Sequence, residues 1–275
     1  MQRTEISWTN FSSNPLKYRD PDGNVVHACI HKSAGCLHCY AETLAGRWGK
    51  AGNKFTVENM KRLTPFLDEK ELHHMLTHKP ASGKMCFVGD MTDIFGEWVP
   101  DELLDQLFAV LVRRYDVIWQ LLTKRSERML EYCTSIYARR AQAGLHGPFP
   151  NVWLGVSCED QKTADERLMI LRDIPNAVPW VSYEPALAGV DFSAHLDFLR
   201  WIVCGGESGP GARPFNIQWA RDVIAQCKAA GTKAFFKQAG SNAVLDNKRI
   251  RLMDRKGGDW TEWEEDLKVR EYPLS

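Results

Sequence analysis

The chain has 275 residues, 44% hydrophobic and 25% charged, a globular composition that excludes a disordered or fibrous protein and allows one large domain or two small ones. Lysine plus arginine number 35, as do aspartate plus glutamate, which excludes a global field pulling the chain onto nucleic acid or an anionic membrane, so any such contact must come from a local patch. No apolar run is long enough to span a bilayer and Met1 to Asn10 carries no secretion signal, so a cytoplasmic location without membrane contact is expected.

Along the chain, short apolar runs alternate with longer amphipathic stretches. A strand near Ile6–Trp8 comes first. Further buried strands are expected at Met85–Gly89, Val117–Leu122, Val152–Val156, Val178–Tyr183, Trp201–Cys204 and Lys233–Lys237, all rich in valine, isoleucine or aromatics and bounded by polar or glycine residues. Helical periodicity covers Asp101–Arg114, Ser126–Ala143, Asp160–Arg172 and Ile217–Ala230, with Asp101 and Ser126 as start residues and Gly231 as a stop. This alternation predicts right-handed βαβ units and an α/β fold with a parallel sheet, in a partial or full β/α (TIM-like) barrel over residues 1–240.

The preference for a barrel over an open sheet rests on the residues that end the strands. Polar clusters close them in succession: Asp90, Thr92 and Asp93; Thr123, Lys124 and Arg125; Ser157 and Glu159; Ser182 and Glu184; Glu207 and Ser208; Lys237 and Gln238. In a β/α barrel such loops converge on the C-terminal face, where active sites sit, whereas an open sheet gathers only those nearest its switch point. A single cluster reads as a solvated loop start; the repetition points to a site. Residues 241–275 differ in character, with Lys248, Arg249, Arg251, Arg255 and Lys256 ahead of Trp260 and Trp263, which lie among acidic residues. They predict a hairpin-bearing extension, either a lid or a solvated edge anchored by tryptophans, and basic residues interleaved with aromatics suit a nucleic-acid strand.

The sharpest signal is Cys29, Cys36 and Cys39, spaced C-x6-C-x2-C in the loop 29–39. In a reducing compartment thiols are buried, metal-bound or reactive rather than bridged. Three cysteines on an iron–sulfur cubane leave one iron open to a small molecule, whereas electron-carrier clusters use four. Zinc is the equal alternative, with His27, His31 or His38 completing a tetrahedral site, and scattered core cysteines are a minor third. The remaining cysteines, Cys86, Cys133, Cys158, Cys204 and Cys227, fall in apolar or helical context and read as small buried hydrophobes.

The segments Ile6-Ser7-Trp8-Thr9, Asn14-Pro15 and Gly35-Cys36-Leu37-His38-Cys39-Tyr40-Ala41-Glu42 resemble the phage-associated three-cysteine-motif family, a branch of radical S-adenosylmethionine-like proteins. The likeness continues through Asp93-Ile94-Phe95, Leu122-Thr123-Lys124-Arg125, Asn151-Val152-Trp153-Leu154-Gly155-Val156-Ser157, Glu184-Pro185, Gly205-Gly206-Glu207-Ser208-Gly209, Ala212-Arg213-Pro214 and Phe236-Lys237-Gln238, nearly the whole chain. Two departures stand out: the cysteine spacing is longer than the C-x3-C-x2-C of the wider superfamily, and an insertion around Lys17–His27 separates Asn14-Pro15 from Cys29.

The resemblance implies a barrel of the radical S-adenosylmethionine type and a [4Fe-4S] cluster on Cys29, Cys36 and Cys39, whose open iron binds S-adenosylmethionine for cleavage to a 5′-deoxyadenosyl radical. Cofactor binding then needs cations for the methionine carboxylate (Lys124, Arg125), anions for its ammonium (Asp90, Asp93, Glu184) and polar groups for ribose (Ser157, Glu159, Ser182). Glu207 and Lys237 are further candidates. A similar Gly-Gly-Glu follows the second strand in the superfamily, while here it follows the sixth in the expected series, so its role there is not carried over.

The implied reaction is isomerisation of an amino-acid-decorated thymidine, of the glycyl-thymidine type, during phage DNA hypermodification. The partners would be a modified nucleotide, single-stranded or flipped, and an electron donor such as a host flavodoxin, in the host cytoplasm. Two alternatives are carried: a radical lyase repairing damaged DNA, and a non-enzymatic zinc protein working with a partner protein.

Overall fold

The computed structural model describes residues 1–48, 54–246 and 248–273. Two compact units divide the chain, Met1–Leu154 with Ile174–Ala177, and Gly155–Asp173 with Val178–Ser275. The fold is mixed α/β, and its largest sheet has eight strands, mostly parallel.

In the first unit β1 (Gln2–Arg3) pairs antiparallel with β2 (Phe11–Ser13). The strand expected at Ile6–Trp8 is a turn instead: the Thr9 N–H donates to the Ile6 carbonyl at 3.2 Å, and the buried Trp8 ring lies 4.9 Å from that of Phe87. The strand that enters the sheet is β2, whose Ser12 and Ser13 are buried. Next, β3 (Leu16–Arg19) and β4 (Val25–Val26) form a hairpin, so part of the Lys17–His27 insertion is an ordered antiparallel ribbon. Gly23 turns it at φ 84, a conformation that glycine adopts without strain. Helices α1 (Tyr40–Trp48) and α2 (Val57–Met60) precede β5 (Thr64–Leu67), which pairs with β3. Helix α3 (Glu69–Thr77) starts at Asp68, whose carboxylate accepts the Lys70 and Glu71 N–H groups at 2.9 and 3.3 Å.

The parallel run continues with β6 (Met85–Val88), α4 (Asp101–Arg113), β7 (Ile118–Thr123), α5 (Ser126–Gln142) and β8 (Val152–Cys158). Leu104, Leu107, Phe108 and Leu111 recur at helical spacing on α4 and are all buried. After β6 the chain turns sharply at Gly89, φ 86, where a Cβ would sit 2.5 Å from Ile94 Cγ1. Gly89→Ala is therefore expected to cost at least about 1–2 kcal/mol from the left-handed backbone alone. Urea unfolding would measure it, and a change indistinguishable from zero would show that the loop relaxes freely.

In the second unit α6 (Gln161–Arg172) opens with a capping box: Asp160 accepts the Thr163 N–H at 2.9 Å and Thr163 Oγ1 accepts that of Asp160 at 3.1 Å. Strands β9 (Trp180–Tyr183) and β10 (Trp201–Gly205) follow, then the two-residue β11 (Phe215–Asn216), α7 (Ile217–Ala230) and β12 (Lys233–Gln238). Gly231 ends α7 at φ 76, as the sequence predicts. The expected C-terminal hairpin is β13 (Ala243–Leu245) against β14 (Lys248–Arg249). With these labels the main sheet reads β1-β2-β6-β7-β8-β9-β10-β12. The outer edge of β12 is covered by residues 269–271: Phe236 N–H donates to Val269 at 2.8 Å and Glu271 N–H to Ala234 at 2.9 Å. Trp263, 4.5 Å from the Phe236 ring, is buried there, while Trp260 is partly exposed. Among the described residues no helix is long and apolar enough to cross a membrane.

Candidate functional site

The cysteine loop belongs to the first unit, beside the C-terminal ends of β6 and β7. Cys36 closes a short 3-10 turn, its N–H on the Ser33 carbonyl at 2.9 Å, and the Cys39 N–H donates to Cys36 at 3.2 Å. Cys39 directly precedes α1. Each sulfur faces a backbone N–H: Cys36 that of Lys32 at 3.4 Å, Cys29 that of Asp93, and Cys39 those of Ala41 and Glu42 in the first turn of α1. Cys39 lies within electrostatic reach of Cys29 and of Cys36, and Lys124 acts on it as well. These three cysteines are partly exposed, whereas Cys86, Cys133, Cys158, Cys204 and Cys227 are buried, as expected of small hydrophobes.

The loop is tied down by groups that end the strands. Thr92 Oγ1 donates to the Ala28 carbonyl at 2.6 Å and bonds Tyr18 Oη at 3.1 Å, which in turn accepts Trp98 Nε1 at 2.8 Å. Tyr40 Oη donates to the Asp90 carbonyl at 2.6 Å. Asn14 bridges the same loop, its amide donating to the Asp90 carboxylate and its oxygen accepting the Met91 N–H at 3.0 Å. Burial pushes the Asp90 carboxyl up from its ordinary range.

Arg125 is the central clamp, and almost wholly buried. Its guanidinium reaches Asp93 at 3.0 Å, Glu97 at 2.6 Å and the Ile30 carbonyl, one residue past Cys29, at 2.7 Å, and stacks 4.6 Å from the Trp98 ring. Burial opposes its charge, but Asp93, Cys29 and Glu97 outweigh that and hold it well above the usual arginine value. Asp93 also accepts Thr123 Oγ1 at 2.7 Å and the Lys124 N–H at 3.2 Å. Asp93 and Arg125 thus spend their polar atoms on each other, on the strand-end residues and on the Ile30 carbonyl, which makes them positioning residues; of the other predicted residues, Lys124 acts electrostatically on Cys39, and Asp90 meets Tyr40, the next residue, through its carbonyl.

Burial, reinforced by Asp93, pushes the Cys29 thiol up to about 12, and burial likewise raises Cys39. Among the described residues no group of three or more His, Cys, Asp or Glu side chains is drawn into a metal-holding arrangement. The donor chemistry nevertheless fits an iron–sulfur cluster: three thiols in one loop, each with a backbone N–H aimed at its sulfur, the hydrogen bonding that tunes cluster thiolates. Of the histidines considered for zinc, His31 turns its Nε2 to Glu42 at 2.9 Å, and Glu42 also accepts the Phe55 N–H at 2.9 Å. His27 Nδ1 is buried without a hydrogen-bond partner, and burial lowers that imidazole's pKa.

The second unit brings together a different set. Glu184 accepts Lys237 Nζ at 2.9 Å and Ser182 Oγ at 3.2 Å, and Ser157 Oγ donates to the Glu184 carbonyl at 3.4 Å. Gly205 lies so close that a Cβ there would be 2.8 Å from Glu184 Oε1. Glu159 stands apart from this group, fully buried and paired with Arg167 at 3.2 Å. Glu207 is held by Arg213 through its backbone N–H at 2.9 Å and its guanidinium at 2.7 Å. Sequence reasoning missed the roles of Tyr18, Trp98, Asn14, Arg167 and Arg213 as supports. Asn14 and Arg213 lay inside the quoted motifs, but nothing marked what they would touch.

A largely parallel α/β protein with a cysteine loop beside its strand ends is the class that fold and site define. The chain belongs to the family described as "Protein of unknown function (DUF5131)", whose family model matches residues 3–265. No curated protein and no solved structure matches it.

Proposed function

We propose that this protein is a radical S-adenosylmethionine enzyme whose [4Fe-4S] cluster is held by Cys29, Cys36 and Cys39, on a partial β/α barrel of the kind such enzymes use. The observation that carries this reading is the cysteine loop itself: every sulfur has a backbone N–H donor, and Arg125, Thr92 and Tyr40 fasten the loop to the strand ends. His31, committed to Glu42, favours a three-cysteine set over a zinc site completed by that histidine. When bound, the cluster supplies the electron that cleaves S-adenosylmethionine reductively. In this scheme Lys124, close to Cys39, holds the cofactor's carboxylate, and Asp90 holds its ammonium. Arg125 and Asp93 keep the loop in register. The Ser182–Glu184–Lys237 group of the second unit has the mixed polarity to bind a hydroxyl or an ammonium group in its own right.

For substrate we propose a modified thymidine in phage DNA, of the glycyl-thymidine type, undergoing isomerisation with electrons from a flavodoxin-class donor. The family likeness and the basic, aromatic C-terminal segment support this choice. Anaerobic reconstitution is expected to load iron and sulfide, and the reduced protein to release 5′-deoxyadenosine from S-adenosylmethionine. Lys124→Met should cut that release severalfold without loss of iron. S-adenosylhomocysteine as the sole product would mean polar methyl transfer and end the radical reading. Mass spectrometry of nucleosides from phage DNA, with and without protein, tests the substrate; a released base would favour the repair lyase.

A further inference from the structure

The nine positions from Lys248 to Lys256 carry five cations, Lys248, Arg249, Arg251, Arg255 and Lys256, against the single carboxylate of Asp254. All five are exposed. Three acids of this region, Asp254, Asp259 and Glu262, accept backbone N–H groups, while Glu264 and Asp266 pair with Arg221 and Glu265 with Lys268. Asp254 accepts the N–H groups of Gly258, Asp259 and Lys256 at 2.5, 3.1 and 3.3 Å, and these bonds hold its carboxyl below the usual range. Glu262 accepts those of Met253 and Asp254 at 2.8 and 3.2 Å, and Asp259 that of Thr261 at 2.9 Å. The carboxylates therefore shape the loop. Among the described residues Lys248, Arg249, Arg251 and Arg255 have no carboxylate partner, so a nearly neutral protein shows a concentrated cationic face here.

Two further features refine the ligand. Met253 is 91% exposed, and Trp260 is 42% exposed with its ring fixed by Arg270, 5.4 Å from the centroid. An open indole held by Arg270, four positions after a run of exposed cations, suits a chain that alternates phosphates with stackable planes. We propose that the β13–β14 hairpin and the loop to Trp260 form a binding surface for single-stranded DNA, the cations on successive phosphates and Trp260 under a base. This surface deepens the nucleotide reading and rests on it for its biological sense, but its recognition chemistry is independent of any cluster.

The test is fluorescence anisotropy of a labelled single-stranded oligonucleotide with the full-length protein over a range of salt. Binding should weaken with salt, the log–log slope being about −0.7 per phosphate contact for a single strand. Arg251→Gln/Arg255→Gln should reduce affinity about tenfold or more and flatten the slope by about 0.7 per residue removed. Trp260→Ala should weaken binding with the slope unchanged. Both variants should keep the parent's thermal unfolding and iron content. No salt-dependent binding, equal binding by the arginine variant, or preference for phosphatidylserine vesicles over the oligonucleotide would each overturn the assignment. A protein that binds the oligonucleotide but takes up no iron would instead sink the radical reading and leave this surface standing.

Discussion

Alanine at Cys29, Cys36 or Cys39 is expected to abolish cluster loading, and with it reductive cleavage of S-adenosylmethionine. Three thiolates are the minimum protein set for a cubane with one open iron, so removing any of them leaves two ligands and a labile centre. Backbone N–H groups cannot replace the lost sulfur, because they donate to thiolates and have nothing to offer a metal. The controls are Cys133→Ala in α5 and Cys227→Ala in α7. Both thiols are buried in helices outside the loop 29–39, whereas the three loop cysteines are partly exposed. Their loss should cost packing only, on the order of 1 kcal/mol. Iron and sulfide per chain, with the visible charge-transfer absorbance, provide the readout. A single variant among the first three that kept its full iron and sulfide would show that its cysteine is not a ligand.

Arg125→Leu is expected to produce the largest loss of stability, about 3–5 kcal/mol, because it strips a buried carboxylate of its cation. Asp93 keeps its bonds to Thr123 and Lys124 but loses the guanidinium, and the Ile30 carbonyl loses its donor. The pair with Glu97 adds little, since that carboxylate is more than half exposed. Arg125→Lys should recover only part of the loss: a single ammonium cannot span acceptors that the planar fork reaches together. Adding Asp93→Asn to Arg125→Leu should restore some stability by removing the orphaned charge. Urea unfolding of the four proteins measures this, and hydrogen exchange across Ile30–Cys36 reports whether the loop loosens. A penalty below about 1 kcal/mol for Arg125→Leu would mean that the clamp is not what holds the loop.

The strands were easiest to read where burial on both faces writes a continuous apolar run, as in Met85–Val88 or Trp201–Gly205. Strand β2 escaped because two of its three residues are serines, buried by register against Phe87 and Val88 rather than by their own apolarity. The tryptophan nearby drew the expectation to Ile6–Trp8, yet it packs as an anchor beside a turn. The β3–β4 hairpin lies inside what the family resemblance marks as an insertion. At the site, sequence order could place polar residues after strands but not their partners. Glu159 reads like its neighbours until Arg167, eight positions on, is seen to claim it. Asp93 and Arg125 both stand out in the sequence, while the bond between them, which makes them a scaffold for the loop, depends on β6 and β7 lying side by side.

The covering of β12 by residues 269–271 has a consequence for how the chain is made. Phe235 and Phe236 sit on a strand whose outer hydrogen-bonding groups are satisfied by residues that leave the ribosome more than thirty positions later. Until those residues arrive, β12 is a bare aromatic edge, the kind of template on which nascent chains pair with one another. Any product stopped short of Val269 would retain that edge permanently and accumulate as aggregate, so the segment that closes the sheet also acts as the chain's own guard against misassembly.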